Sequence, residues 1–190
     1  MSALIQGKGR MKVYGVVALF DEKTEKEIRK IWRGLKEQSI SDYAFQVIDR
    51  IPHVTLAGCS NINESAFMEK MEELYHSQRI IDISFNSIGS FMKSGTLFLS
   101  PVMTEELTML HRKHHDAFRE FDGSSASVYE PDKWVPHCTL ANRLPFEKLA
   151  EAFRFCSAGI DVLSGAITEI SLIKVHGDTA PVIYSVKLKP

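Results

Sequence analysis

The chain has 190 residues, 44% hydrophobic and 25% charged, with a formal net charge of −1 and a pI near 6.7. That length suits one large domain or two small lobes with a sizeable core, and the composition is ordinary for a soluble globular protein. Near-neutrality excludes broad, non-specific binding to polyanions but leaves a small or end-of-chain phosphate ligand open.

Residues 1–10 carry Lys8 and Arg10 but no apolar core, which predicts a loose tail rather than a signal peptide or membrane anchor. No run approaches transmembrane length. Residues 11–20 are nearly continuously apolar and predict a central strand covered on both faces. Asp21 then caps a helix with Glu22 and Glu25 in its first turn and Ile28, Ile31, Trp32 and Leu35 on one stripe. Residues 43–48 predict a strand. After Asn61-Ile62-Asn63 a second helix turns Phe67, Met71 and Leu74 inward, and residues 80–91 form a strand ending at the Lys93-Ser94-Gly95 turn.

The second half repeats that order. Residues 96–99 are a strand, and Thr104 caps a helix carrying Leu107, Leu110, Phe118 and Phe121. The loop Asp122-Gly123-Ser124-Ser125 follows, with glycine and serine that permit movement. Pro145 opens a helix with Phe146, Leu149 and Phe153 inward, and residues 167–175 and 182–188 close the chain as strands. Cys59, Cys138 and Cys156 are odd in number and form no C-x-x-C pair, so they read as reduced thiols of a cytoplasmic protein.

One motif occurs twice. Ile51-Pro52-His53-Val54-Thr55-Leu56-Ala57-Gly58 is matched, 84 residues on, by Val135-Pro136-His137-Cys138-Thr139-Leu140-Ala141-Asn142. Shuffling this composition yields roughly 0.02 copies of His-x-Thr-Leu, so two flanked copies indicate a duplicated site. Met11 and Gly95, at the heads of the two halves, each stand 42 residues before a motif histidine. Alternation along a strand puts each His and Thr on one face and the apolar residues on the other. Two imidazoles in one cleft can act as general acid and general base near neutral pH, and two threonine hydroxyls can donate to phosphate oxygens.

With both motifs in view, the chain resembles the 2H phosphoesterase superfamily, which includes 2′-5′ RNA ligase-like proteins and cyclic nucleotide phosphodiesterases. Its signature is a pair of His-x-Thr/Ser-hydrophobic motifs in two pseudo-symmetric lobes, and the likeness runs over about residues 11–188. The resemblance implies a bilobal α+β domain over residues 11–190, with repeats at about 11–92 and 95–188. Each lobe would be a mostly antiparallel sheet with two helices, facing a central cleft. It implies chemistry at a phosphodiester on a ribose 2′ or 3′ oxygen, with no metal and no cofactor. His53 and His137 would be the acid/base pair, and Thr55 and Thr139 would hold the phosphate. Several ligase-like members carry a basic residue two positions past the hydrophobic one, where this chain has Gly58 and Asn142, with Arg143 one step later. That departure weakens specific 2′-5′ ligation and leaves the phosphoesterase expectation intact.

The expected partner is a nucleotide or RNA end, bound by a monomer. Arg50, Lys133, Trp134 and Arg143 flank the motifs as substrate-binding candidates, with Tyr14 or Phe91 as alternative platforms for a base. A competing class is a non-catalytic nucleotide- or RNA-end-binding module of the same fold. Another is a zinc protein built on His111, His114 and His115. His111 and His115 have i, i+4 spacing, but Arg112 stands where a metalloprotease needs Glu, and His114 falls on the apolar stripe as a core-edge residue.

Overall fold

A computed structural model describes residues 13–91, 93–121 and 128–190. The expected tail over residues 1–10 and the turn Asp122-Gly123-Ser124-Ser125 lie outside those residues. The elements run β1 (Val13–Phe20), α1 (Glu22–Glu37), β2 (His53–Ser60), α2 (Glu64–Tyr75), β3 (Ile81–Phe91) and β4 (Thr96–Pro101). They continue with α3 (Glu105–Ala117), β5 (Cys138–Ala141), α4 (Phe146–Gly159), β6 (Leu163–Val175) and β7 (Val182–Lys187).

Local chemistry sets the helix starts. The Asp21 carboxylate accepts from Thr24 N at 2.9 Å, the Thr104 hydroxyl oxygen from Leu107 N at 3.2 Å, and Asn63 Oδ1 from Ala66 N at 3.3 Å. Asp21 also accepts from Ala166 N, which ties α1 to β6. The approach there is so close that a Cβ on Gly165 would meet Thr24 Oγ1 at 1.7 Å, so only glycine fits.

All strand pairings are antiparallel, in the order β2-β1-β6-β3-β4-β5, with β7 also on β6. The α+β class and antiparallel sheet expected from the sequence are what the structure has. The 13-residue β6 links two lobes. β1 and β7 both pair with residues 169–173 and must lie on opposite edges; β3 pairs with residues 163–167. One lobe is therefore β2-β1-β6-β7 and the other β6-β3-β4-β5. The halves of the chain do not each keep to one lobe. β3 leaves the first half to pair with β4, and β6 of the second half pairs with β1. Helices are exchanged as well: α3 packs on β2, and α1 packs on β5.

Two expected elements differ. Residues 43–48 form no strand but a 3₁₀ turn over Tyr43–Phe45, in which Phe45 N donates to Asp42 O at 2.8 Å. Phe45 and Ile48 are 48% and 63% exposed, so the segment has no buried face for a strand to cover. In α4, Phe146 and Phe153 face solvent, while Ala152 and Cys156 are fully buried. Phe155 instead lies over Gly34 of α1, 2.8 Å from where a Cβ would stand. No helix of the described residues is long and apolar enough to cross a membrane.

Candidate active site

β2 begins at His53, directly behind the buried Pro52. Val54 and Leu56 point into the core, so His53 and Thr55 take the other face, beside Leu19 and Val17 of β1. In the second lobe Cys138 and Leu140 are buried, and Thr139 pairs with Phe98 of β4. His137 stands just ahead of β5, with its ring 4.8 Å from Phe91 and 5.2 Å from Phe98.

The histidines are held identically. His53 Nδ1 lies 2.7 Å from the Ile51 carbonyl oxygen, and His137 Nδ1 lies 2.7 Å from that of Val135. A carbonyl only accepts, so Nδ1 carries the hydrogen on both rings and Nε2 keeps a free lone pair. Burial pushes His53 down to about 4, against the opposing pull of the Ile51 carbonyl, and positive charge on Arg50 or His137 lowers it further. Burial also holds His137 below its ordinary value, opposed by the Val135 carbonyl. Both imidazoles are therefore neutral at pH 7.

The two motif strands approach each other and are braced from opposite halves of the chain. The Cys138 thiol is a partner of the His53 backbone N–H. Trp32 Nε1 donates to Thr139 O at 3.1 Å, and Trp134 Nε1 donates to Thr55 O at 2.9 Å. The turn that carries Tyr43 packs against β5, and the Tyr129 ring lies against Gly58 of β2, 3.4 Å from where a Cβ would stand. Arg50 lies flat on Tyr43, its Cζ 3.9 Å from the ring centroid, and donates through Nη1 to the phenolic oxygen. Beside His53 opens a cavity of about 190 Å³, walled by Val17, Leu19, Val47, Ile173 and Val182. Arg50 and Val47 also line a neighbouring hollow with Arg29 and Arg33.

The structure thus brings together His53, Thr55, His137, Thr139 and Arg50, with Phe91 against one imidazole. Tyr14 does not join them and is corrected to a core residue. It lies on the helix-covered face, 1% exposed, and donates to Glu64 Oε1 at 2.7 Å. The alternation of β1 that aims Val17 at the cleft turns Tyr14 away from it. Trp134 is a brace, with its N–H on Thr55 and one ring face stacked on His111 at 3.8 Å. Lys133 is exposed and pairs with Glu130, and Arg143 is exposed just past β5. Sequence reasoning missed Tyr43, Tyr129 and Trp32 as site residues. The signal that finds the tyrosines is the repeat itself, since each precedes its motif histidine by a similar distance, ten residues and eight.

The histidine helix is packed into the fold. His114 Nδ1 meets Tyr75 Oη at 2.7 Å, and His115 Nε2 meets Leu56 O at 3.2 Å, so their nitrogens bind protein groups. Among the described residues no three His, Cys, Asp or Glu side chains gather to hold a metal.

Comparison with known proteins agrees with this layout. The family model of the 2′-5′ RNA ligase superfamily matches residues 20–179. No curated protein sequence matches. Among solved structures, E. coli LigT complexed with 3′-AMP superposes with a TM-score of 0.66 at 16% identity, covering 95% of this chain and 100% of LigT. LigT has also been solved with ATP and with NADP+. TT0787 of Thermus thermophilus gives a TM-score of 0.63 at 14% identity over 94% of this chain and 98% of its own. Usb1 of Kluyveromyces marxianus gives 0.50 at 12% identity over 93% and 98%. A duplicated His-x-Thr strand motif, an antiparallel bilobal sheet and a family match across most of the length agree: this chain belongs to the 2′-5′ RNA ligase superfamily, the 2H phosphoesterases.

Proposed function

We propose that the protein hydrolyses a 2′,3′-cyclic phosphate, or a related 2′-linked ester, at a nucleotide or RNA end, using two histidines and no metal. The observation that carries this is the matched pair of Nδ1–carbonyl bonds, which leaves two Nε2 atoms free to exchange protons. Family membership supports phosphoester chemistry, and the 3′-AMP bound by LigT supports a nucleotide ligand.

Burial, reinforced by the charge of Arg50, keeps His53 unprotonated, which suits the general base, and His137 serves as general acid. A phosphate anion between the lobes favours the imidazolium, so His137 takes up a proton from solvent as the substrate binds. His53 Nε2 then takes a proton from the attacking water as its oxygen bonds to phosphorus. The bond from phosphorus to the ribose oxygen breaks, and His137 Nε2 protonates that oxygen. Thr55 and Thr139 hydroxyls hold the non-bridging oxygens, where charge accumulates. Incubation with 2′,3′-cyclic AMP and with RNA bearing a cyclic phosphate end, in EDTA, tests the reading. Chromatography should resolve one phosphomonoester product; unchanged substrate in every reaction refutes it.

A further inference from the structure

We infer that the hollow walled by Arg29, Arg33 and Arg50 is a subsite for the nucleotide next to the reacting end, so that the protein acts on single-stranded RNA ends in preference to mononucleotides. This rests on the phosphoesterase reading above and adds a place for the rest of the strand. The hollow encloses about 320 Å³ and shares Val47 and Arg50 with the cavity beside His53, so the two are neighbours across one wall. A 2′,3′-cyclic phosphate is by its chemistry the last group of a strand. Whatever lies beyond the terminal nucleotide is therefore on its 5′ side, joined through a phosphodiester.

Stability does not account for these arginines. Arg29 and Arg33 stand at i, i+4 on α1, where like charges repel, and Arg50 reaches the same hollow from the segment before β2. Glu25 takes only Nε of Arg29, at 2.7 Å, and Asp49 adds a carboxylate to the wall. Arg33 is exposed and has no ion-pair partner among the described residues. Arg50 gives Nη1 to Tyr43, while its buried Nε has no acceptor among the described residues. Three guanidiniums against two carboxylates leave the hollow positive, in a chain whose net charge is −1. Guanidinium forks match phosphate oxygens two at a time. The lining also offers a face to a base: Phe45 is half exposed and steadied by Lys36, whose Nζ lies 4.1 Å from the ring centroid. Cations along the backbone and an aromatic face for stacking are how proteins hold single strands.

Steady-state kinetics test this on adenosine 2′,3′-cyclic phosphate, its 5′-phosphorylated form, and adenylyl-adenosine 2′,3′-cyclic phosphate. In the wild type, kcat/KM should be about tenfold higher for the dinucleotide than for the nucleoside, the worth of one hydrogen bond to a charged group. That gain should shrink as salt rises. Arg33→Gln should bring the ratio toward one while both limbs of the pH profile stay in place, and Arg33→Lys should retain part of the gain. Phe45→Ala should remove the part that the 5′-phosphate alone does not supply. A wild-type ratio near one, or a ratio that Arg33→Gln leaves unchanged, overturns the subsite. A gain already complete in the 5′-phosphorylated mononucleotide overturns the stacking on Phe45 and with it the preference for RNA. Thermal melts check folding, and should Arg33→Gln fail to fold, Arg29→Gln must give the same loss of ratio. If no cyclic phosphate is turned over, the phosphoesterase reading is what fails. The subsite is then read by fluorescence anisotropy on a 5′-fluorescein-labelled triadenylate with a 3′-phosphate, where weaker binding by Arg33→Gln supports it and equal binding overturns it.

Discussion

Trp134 and Thr55, 79 positions apart, are joined by a 2.9 Å bond from the indole N–H to the Thr55 backbone oxygen. Trp32 does the same for Thr139 from the other half. Each motif strand is thus fixed by a tryptophan that belongs to the opposite repeat, which couples the geometry of the two lobes. Trp134→Phe keeps most of the ring's packing and leaves the Thr55 carbonyl without this donor. An unpaired buried group costs about 1–3 kcal/mol, so the melting temperature should fall by roughly 2–12 °C for a chain of this size. The rate should fall with it, since Thr55 loses its anchor. Calorimetry and steady-state kinetics on the same preparation check both.

The pH dependence follows from the two imidazoles. The base must be unprotonated, which holds above about pH 4 for His53, and the acid must be protonated, which holds only below the depressed value of His137. The kcat/KM profile should be a bell centred on the acid side of 6.5. Arg50→Met removes a positive charge that lowers His53, so the acidic limb should move to higher pH while the alkaline limb stays. An acidic limb that does not move would remove Arg50 from the account.

Acid stability follows from histidines buried as neutral rings. Burial pushes His111 down to about 4 and His114 down to about 3. In the unfolded chain both take a proton near pH 6.5, so between there and their folded values the unfolded state binds more protons and stability falls as pH drops. Each contributes a slope of up to about 1.4 kcal/mol per pH unit in that window. Urea titrations at pH 7.5 and 5 should show the loss, and His114→Gln should reduce the difference between the two pH values.

How far the sequence could be read varied with what each residue had to do. Strand alternation and the doubled motif were enough to place His53, Thr55, His137 and Thr139, because a two-residue period leaves no other face for them. The same rule gives no purchase on Tyr14, which an apolar run conceals: residues 14–18 are all buried, so nothing in the pattern marks the side that meets the cleft. Residues 43–48 look like a strand by composition, yet the bend at Asp42, with Phe45 and Ile48 exposed, makes a turn that packs against β5 instead. The exchange of β3 and β6 between lobes is invisible locally, because antiparallel pairing is a long-range choice with no signature inside either strand.

Tyr14 provides a control. Tyr14→Phe removes the 2.7 Å bond to Glu64, which Lys174 still holds at 2.7 Å. The change should cost about 1 kcal/mol of stability and leave kcat and KM for cyclic nucleotides where they are.

The most direct test of the shared phosphate is the kinetic comparison of His53→Ala, His137→Ala and the double variant on 2′,3′-cyclic AMP in EDTA. Each single change should lower kcat on the order of 10²–10⁴-fold, and the double should be no worse than the more damaged single, because neither proton transfer completes the reaction alone. A single variant with wild-type turnover, or a double whose losses multiply in full, would contradict a site in which both imidazoles serve one phosphate.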